Sequence, residues 1–528
     1  MSSAFGGLNT VVRGLMAQQI SLNTVGHNIS NASTDGYSRQ SVNLVSSLPE
    51  SLMGSNGQMQ LGTGVDMQSI TRARDTFMDL QMWKENSTLG YGETQQNLLS
   101  EVEGVFHEPS DTGVQTVLNQ FWSSWQSLGT NASDDSTRNL VLQRGVAVAN
   151  AVEQAASQLK DTVTSINTDL QLKLSNVNQI TSDILSLNKM ISMSETVSAG
   201  PGSANDLRDQ RDLLVDQLSK YISVRVTEDS TGNYNIQSGS LNLVNSHSTT
   251  QLTTYSTKDP DYDYEVLNVE ANGKPVTLSG GELEGLVDTR DDSNFGVKGY
   301  LDKLTTVSQF LLKDFNAIHR DGYGEDNISG RNFFEGTDTA ARNFYEAQYS
   351  DPTNAAYMTK GDWLKALEVN AAFFNQSSST PGLQLIAAKT KSSTDPTTPQ
   401  GNASGDNAVK LAQALKMNTA GLLPDDPANP PNKYQPTLGA TASLDSYYSA
   451  VIGALGVQGQ SAGRLVENQK TLVAQIESWR QSTSGVNMDE EMANMIKFQK
   501  GYNAAARVIT TMDEMLDKLI NSTGVVGR

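Results

Sequence analysis

Apolar residues at the start of the chain recur with a helical period. Leu8, Leu15, Leu22 and Ile29 fall seven apart, with Val11 and Val25 between them and only Gln18 polar on the stripe. This predicts one amphipathic helix. The other end repeats the pattern, with Met495, Tyr502, Ile509 and Leu516 at one heptad position and Phe498, Ala505, Met512 and Leu519 at the other. Either the two end helices pair with each other or each packs on the body, and periodicity alone does not separate the two. A third tract, Val152 to Ile191, keeps the spacing through Leu159, Val163, Ile166, Leu170, Val177, Ile180, Ile184 and Leu187, with one break at Lys173. Shorter helical patterns run over Phe77–Val105, Val114–Leu128, Asn205–Tyr221, Val297–His319, Asp406–Leu415 and Leu444–Trp479.

The centre changes period. Ile222, Val224 and Val226 alternate, then Tyr234 with Ile236 and Leu241 with Leu243, with turn chemistry at Asp229 to Gly232. Asn272-Gly273, between Val266–Val269 and Val276–Leu278, signals a hairpin. From Tyr323 to Gly405 the chain is rich in Ser, Thr, Asn, Pro and Asp and reads as a small exposed unit with long loops. The reading is a multidomain α+β chain with terminal heptad helices, a long-helix bundle and inserted antiparallel β-rich domains. Residues 1–40 and 486–528 make a terminal helical unit. Residues 41–221, 284–322 and 406–485 make the bundle, 222–283 the β insertion and 323–405 a second, irregular insertion.

Composition narrows the function. The 528 residues carry 38 Lys+Arg against 58 Asp+Glu, a net charge of −20, so neither nucleic acid nor an anionic membrane is expected as a partner. Cysteine is absent, which removes disulfides, thiolate metal sites and Cys nucleophiles. The N-terminus lacks the basic and apolar regions of a secretory signal, so the chain is expected in the cytosol or exported by a signal-free route. From Met1 to Thr34 the only charged side chain is Arg13. A nearly neutral helix face suggests crowding by neighbouring protein; the bland alternative is a weak helix that frays.

Catalytic patterns are weak. Gly459-Gln460-Ser461-Ala462-Gly463 matches a nucleophile elbow, but no histidine follows His319. Asp259, Asp261, Asp263 and Glu270 mimic a calcium loop, yet Tyr264 stands where glycine is required and Pro260 intrudes, so a surface turn is expected. Asp206, Asp209 and Asp212, with Arg208 and Arg211 in the same turns, read as an ion-paired helix surface. Trp122 and Trp125 read as core. His27, His107, His247 and His319 are scattered, so no metal or cofactor is expected and the chain is not read as an enzyme.

A resemblance adds to this. Asn28-Ile-Ser-Asn31-Ala-Ser-Thr34-Asp-Gly36-Tyr37-Ser38-Arg39-Gln40 is similar to the motif shared by bacterial flagellar rod, hook and hook-associated proteins, and its Gly-Tyr-Ser-Arg-Gln ending resembles the hook-associated branch. Asn205–Asp212 and Ser484–Glu491 match as well. The resemblance implies a structural subunit exported by the flagellar type III system without a cleaved signal. It would lie outside the cell in a ring at the distal end of the hook, forming the junction on which the filament grows. Its implied partners are copies of itself, the hook protein FlgE, the second junction protein FlgL and the export chaperone FlgN at the C-terminal helix. The terminal helices are expected to be disordered in the free monomer. In the assembly, Leu8, Leu15, Leu22 and Ile29 would pack on Met495, Tyr502, Ile509 and Leu516, while Asn31, Gly36 and Tyr37 form the turn leaving the first helix. The alternatives are a hook or distal rod subunit or, from another class, a secreted hydrolase or adhesin.

Overall fold

The computed structural model describes residues 3–54, 57–106, 108, 110, 113–197, 204–335, 342–376, 381–392, 398–428 and 431–522. His107 lies outside them, as does the side chain of Leu519. The first helix, α1 (Ser3–Ser30), is followed by four short strands, β1 (Gln40–Ser46), β2 (Glu50–Gly54), β3 (Gly57–Leu61) and β4 (Val65–Arg72). β1 pairs with β4 and β2 with β3, giving a two-part antiparallel ribbon that runs along α1. The sequence pattern did not predict these strands: most of β1 faces solvent, so no buried alternation marks it.

The body is built on α4 (Asp135–Val197), a 63-residue helix about 94 Å long. Val152, Leu159, Val163, Ile166, Leu170, Val177, Ile184 and Ile191 are all buried along it. The break at Lys173 has a cause, since its ammonium lies 2.5 Å from Glu282 of α6 (Gly281–Asp291), a helix the pattern also missed. Around α4 pack α2 (Thr76–Phe106), α3 (Val114–Thr130) and α5 (Asn205–Tyr221), with α7 (Val297–Phe310) continuing through a π turn (Leu311–Phe315) into α8 (Asn316–Asp321). The returning chain adds α10 (Asp406–Lys416) on α3 and α11 (Leu444–Ser484) on α2, then ends in α12 (Met488–Ser522).

Two three-stranded antiparallel sheets sit against α4, β5 (Arg225–Glu228), β6 (Tyr234–Ser238) and β7 (Leu241–Val244), then β8 (Leu252–Lys258), β9 (Glu265–Ala271) and β10 (Lys274–Pro275). Three asparagines of α4 fasten them. The Asn178 amide donates to Leu252 O and accepts from Leu252 N, at 2.7 and 2.9 Å. Asn167 does the same for Glu265 O and Leu267 N, and Asn188 for both backbone groups of Tyr234. Each amide thus copies a neighbouring strand for backbone groups that would otherwise be buried unpaired. Asn272 and Gly273 both have positive φ (54° and 73°), as the hairpin signal required.

Among the described residues, the stretch from Tyr323 to Gly405 has one short α-helix, α9 (Lys360–Lys365), three single 3-10 turns and isolated bridges. It hangs on the helix before it through Asn316, which accepts from Phe333 N and Phe334 N, and through the buried His319, which bridges Arg331 O and Ala387 N. Trp125 is fully buried among Phe121, Phe315 and Phe333, while Trp122 is only partly covered. Among the described residues no helix is long and apolar enough to cross a membrane, and no group of three His, Asp or Glu could hold a metal ion.

Candidate functional site: the joint between terminal helices and body

The two ends pair with each other. Gly7 lies against Met512, Gly501 against Gln18, and Asn28 bonds Glu491, so α1 and α12 run antiparallel in constant register. Gln18, the polar break in the stripe, fits because Gly501 opposite has no side chain: a Cβ there would meet the Gln18 amide oxygen at 2.8 Å. Val25 is buried, whereas Leu8, Val11, Leu15, Leu22 and Ile29 are half-buried. Met495, Phe498, Tyr502, Ile509, Met512 and Leu516 are half-buried too. One partner helix covers only part of each stripe.

Three segments that the sequence singled out separately converge where this pair meets the body. Asn28, fully buried, uses its whole amide. It donates to Gln40 O (2.9 Å) and Glu491 (3.1 Å), and accepts from Gln40 N (3.0 Å) and the Tyr37 hydroxyl (2.8 Å). Tyr37 also touches His27 Nδ1 at 3.0 Å. Burial, reinforced by the charges of Asp206, Asp209 and Glu491, pushes the Tyr37 phenol up, so it keeps the proton it donates. Asn31 closes the helix end by donating to His27 O and accepting from Thr34, and Gly36 turns the chain with φ +76°. A Cβ at Gly36 would meet Leu213 of α5 at 3.1 Å, so both backbone and space ask for glycine.

The outgoing strand is then tied on both sides. Arg39 donates its backbone N–H to Ser484 O and its guanidinium to Glu490, at 2.8 and 2.9 Å. Gln40 donates to Asp206, and Ser38 N to Asp209, at 2.8 and 3.0 Å. Here the expectation of an ion-paired surface is corrected. Asp209 and Asp212 are buried and pair with Arg72 and Arg74 of the ribbon's last turn, not with the arginines beside them. Residues one apart on a helix do not face each other, so Arg208 reaches Glu195 and Glu228 while Arg211, fully buried, bonds Asn188 and Gly232 O. Burial alone would raise Asp212, but Arg74 and Arg72 outweigh it and hold its carboxyl below the usual range. For Asp209 burial wins and the pKa is raised. The network continues through Arg74–Asp79 to Arg480, which pairs with Asp216 at 2.7 Å, so α2, α5, α11 and the ribbon share one chain of charges.

The sequence marked Asn28, Asn31, Thr34, Gly36, Tyr37, Arg39 and Gln40, and held Asp209, Glu490 and Glu491 in its other two matched segments without pairing them, but gave no sign of Arg72, Arg74 and Arg480. The Tyr37 hydroxyl that touches His27 donates its proton to the Asn28 amide, so it serves the joint. Ser461 lies within α11 and donates to Val457 O, without the strand-to-helix turn of an elbow. Asp259, Asp261 and Asp263 lie in the turn between β8 and β9, paired with Lys298, Lys360 and Lys258. What the site can do is hold two helices at a set angle to a long body.

The comparisons with known proteins follow this architecture. The family model described as flagellar hook-associated protein FlgK helical domain matches residues 99–334. Models described as flagella basal body rod protein and as the C-terminal part of flagellar basal body rod FlgEFG proteins match 8–37 and 480–522, the two paired helices. A solved structure of the flagellar hook junction protein FlgK from Burkholderia pseudomallei covers 77% of this chain and all of its own, with TM-score 0.58 and 17% identity, a likeness of fold. Flagellar hook-associated protein 1 of Salmonella typhimurium is 27% identical over 97% of this chain and 99% of its own. Flagellar hook-associated protein 1 of Bacillus subtilis is 33% identical over the full length of both. With that identity end to end, the chain belongs to the flagellar hook-associated protein 1 (FlgK) family.

Proposed function

We propose that this chain is the structural adaptor of the flagellum that assembles at the distal end of the hook and forms the hook–filament junction on which the filament grows. Membership of the family carries the role. The observation that gives it a physical form is the joint: Asn28–Glu491 and Arg39–Glu490 tie the two terminal segments to each other, while Ser38 N–Asp209, Gln40–Asp206 and Arg39 N–Ser484 O tie them to α5 and α11 of the body. An adaptor between two tubes needs such a part, since its terminal helices must fit a packed assembly while its body stays oriented.

The half-buried seam residues, from Leu8 to Ile29 and from Met495 to Leu516, are the proposed assembly interface, with the side of each stripe that one partner leaves open taken by neighbouring copies. In the free monomer such a pair gains little and is proposed to be disordered. Copies of this chain, the hook protein FlgE, the second junction protein FlgL and the chaperone FlgN are the proposed partners, and signal-free type III export the proposed route. The role is structural, without catalysis. Electron microscopy of cells deleted for the gene, with a blot of the medium for flagellin, tests it. Hooks without filaments and flagellin in the medium are expected; absent hooks would move the role to rod or hook, and normal filaments would sink it.

A further inference from the structure

At the joint, the hydrogen bonds of Asn28 decide where the protons around His27 must lie. The Asn28 amide oxygen accepts from Gln40 N at 3.0 Å and its nitrogen donates to Gln40 O at 2.9 Å, and a backbone N–H and carbonyl cannot exchange roles. The Tyr37 hydroxyl, 2.8 Å from that amide oxygen, must therefore donate to it. Its own oxygen is left to accept, and the group beside it is His27 Nδ1 at 3.0 Å, so Nδ1 carries a proton. The other ring nitrogen, Nε2, lies 3.4 Å from the Asp206 carboxylate of α5. Gln40 holds that carboxylate in place by donating to its second oxygen at 2.8 Å. A neutral ring with its proton on Nδ1 would turn a lone pair toward Asp206, and only the imidazolium donates on both sides.

We infer that His27 is a proton-operated latch, which when charged ties the end of α1 to Asp206 at the start of α5, so that the joint closes more firmly in mildly acidic surroundings than in alkaline ones. This deepens the reading of the joint proposed above. The neighbouring charges agree with it. Asp206 and Asp209 of α5 and Glu491 of α12 all bear on the Tyr37 phenol that the ring touches. The nearby cations are spent elsewhere: Arg39 of the turn reaches Glu490, and Arg72 and Arg74 are held by Asp209, Asp212 and Asp79. On α1 itself the other charge is Arg13, which pairs with Asp66 of the ribbon. Histidine is the side chain that changes charge between about pH 5 and 8. The His27 and Asp206 side chains are 41% and 57% exposed, so the ring exchanges protons with the medium, and screening keeps the effect to a few-fold.

The chain has no cysteine, so one introduced pair can hold the two ends together in the purified full-length protein. Gln18 and Gly501 face each other across the seam, a Cβ at Gly501 standing 3.4 Å from Gln18 Cγ, and Gln18→Cys with Gly501→Cys is oxidised to a disulfide. In this background His27→Gln keeps a donor for the Tyr37 oxygen but cannot take up a proton. Its rate of proteolytic cleavage between residues 31 and 41 is divided by that of the protein with His27 at each pH, which cancels the pH dependence of the protease. The ratio is expected to rise about threefold from pH 8 to pH 5.5, and Asp206→Asn, which removes the partner and leaves the ring, is expected to give the same rise. A ratio that stays flat overturns the latch, as does one that falls on acidification, or a rise in His27→Gln that Asp206→Asn does not share. Filament growth in cells on the chain without the disulfide reads the junction role separately, so the two can fail independently.

Discussion

Asn28 and Glu491, 463 positions apart, are joined by a 3.1 Å hydrogen bond at the one place where both ends of the chain meet the body. Replacing Asn28 by alanine would leave Gln40 N, Gln40 O and Glu491 without this partner in a buried setting, at a cost of about 3 kcal/mol. The loss should be local. In isolated flagella, limited proteolysis is expected to cut between residues 31 and 41 much faster in Asn28→Ala than in the unmodified protein, while α4 stays protected. Equal cleavage of the two proteins would show that the amide does not hold the joint.

Gly36 gives a graded test. Its φ of +76° disfavours any side chain, and the Leu213 contact at 3.1 Å penalises bulk. Gly36→Ala should cost about 1 kcal/mol and Gly36→Val roughly twice that or more. Swimming motility is expected to fall in that order, with hooks still present. A Gly36→Val strain that swims like its parent would remove this turn from the argument.

The helices were legible because a 3.6-residue period survives in any amphipathic helix with one buried face, and α5 was read with both ends in place, Asn205 to Tyr221. Other features were hidden for physical reasons. In α6, Leu283 and Leu286 are the only buried large apolar residues of eleven, too few for a period. Asn167, Asn178 and Asn188 look like a polar helix face, but point inward at strand backbones, a role that becomes visible only when the strands are placed. The joint shows the same limit. Its three segments could each be marked in the sequence, but the Arg72–Asp209 and Arg39–Glu490 pairs join residues over a hundred positions apart. Nothing in local spacing links them.

The seam between α1 and α12 makes a third prediction. Leu22 and Ile509 are half-buried on the facing stripes. A carboxylate at either place must give up water or push the helices apart. The double variant Leu22→Asp with Ile509→Asp is expected to keep the circular dichroism and melting temperature of the unmodified free chain, and to fail to support filaments. Normal filaments on this variant would show that these positions do not face protein in the assembly.

Acid should loosen the second insertion first, because of His319. The ring is fully buried; its Nδ1 lies 2.7 Å from Arg331 O, and its Nε2 accepts from Ala387 N at 3.1 Å. A ring that donates from one nitrogen and accepts on the other is neutral, and burial holds its pKa down from 6.5 to about 4. The sign follows directly. The unfolded chain takes up a proton near pH 6.5 and the folded one only near pH 4, so the stabilisation is complete above pH 6.5 and drains away as pH falls to 4. At about 1.4 kcal/mol per pH unit the loss is about 3 kcal/mol. Charging the ring also removes the acceptor that Ala387 N needs. Hydrogen exchange at Ala387 and Phe333 should therefore speed up between pH 6.5 and 4, after correction for the intrinsic rate, while amides of α4 near Val163 hold. In His319→Gln, which keeps a donor and an acceptor without a titrating proton, the protein should start less stable, and this pH slope should vanish. A slope unchanged by the substitution would assign the acid sensitivity to another group.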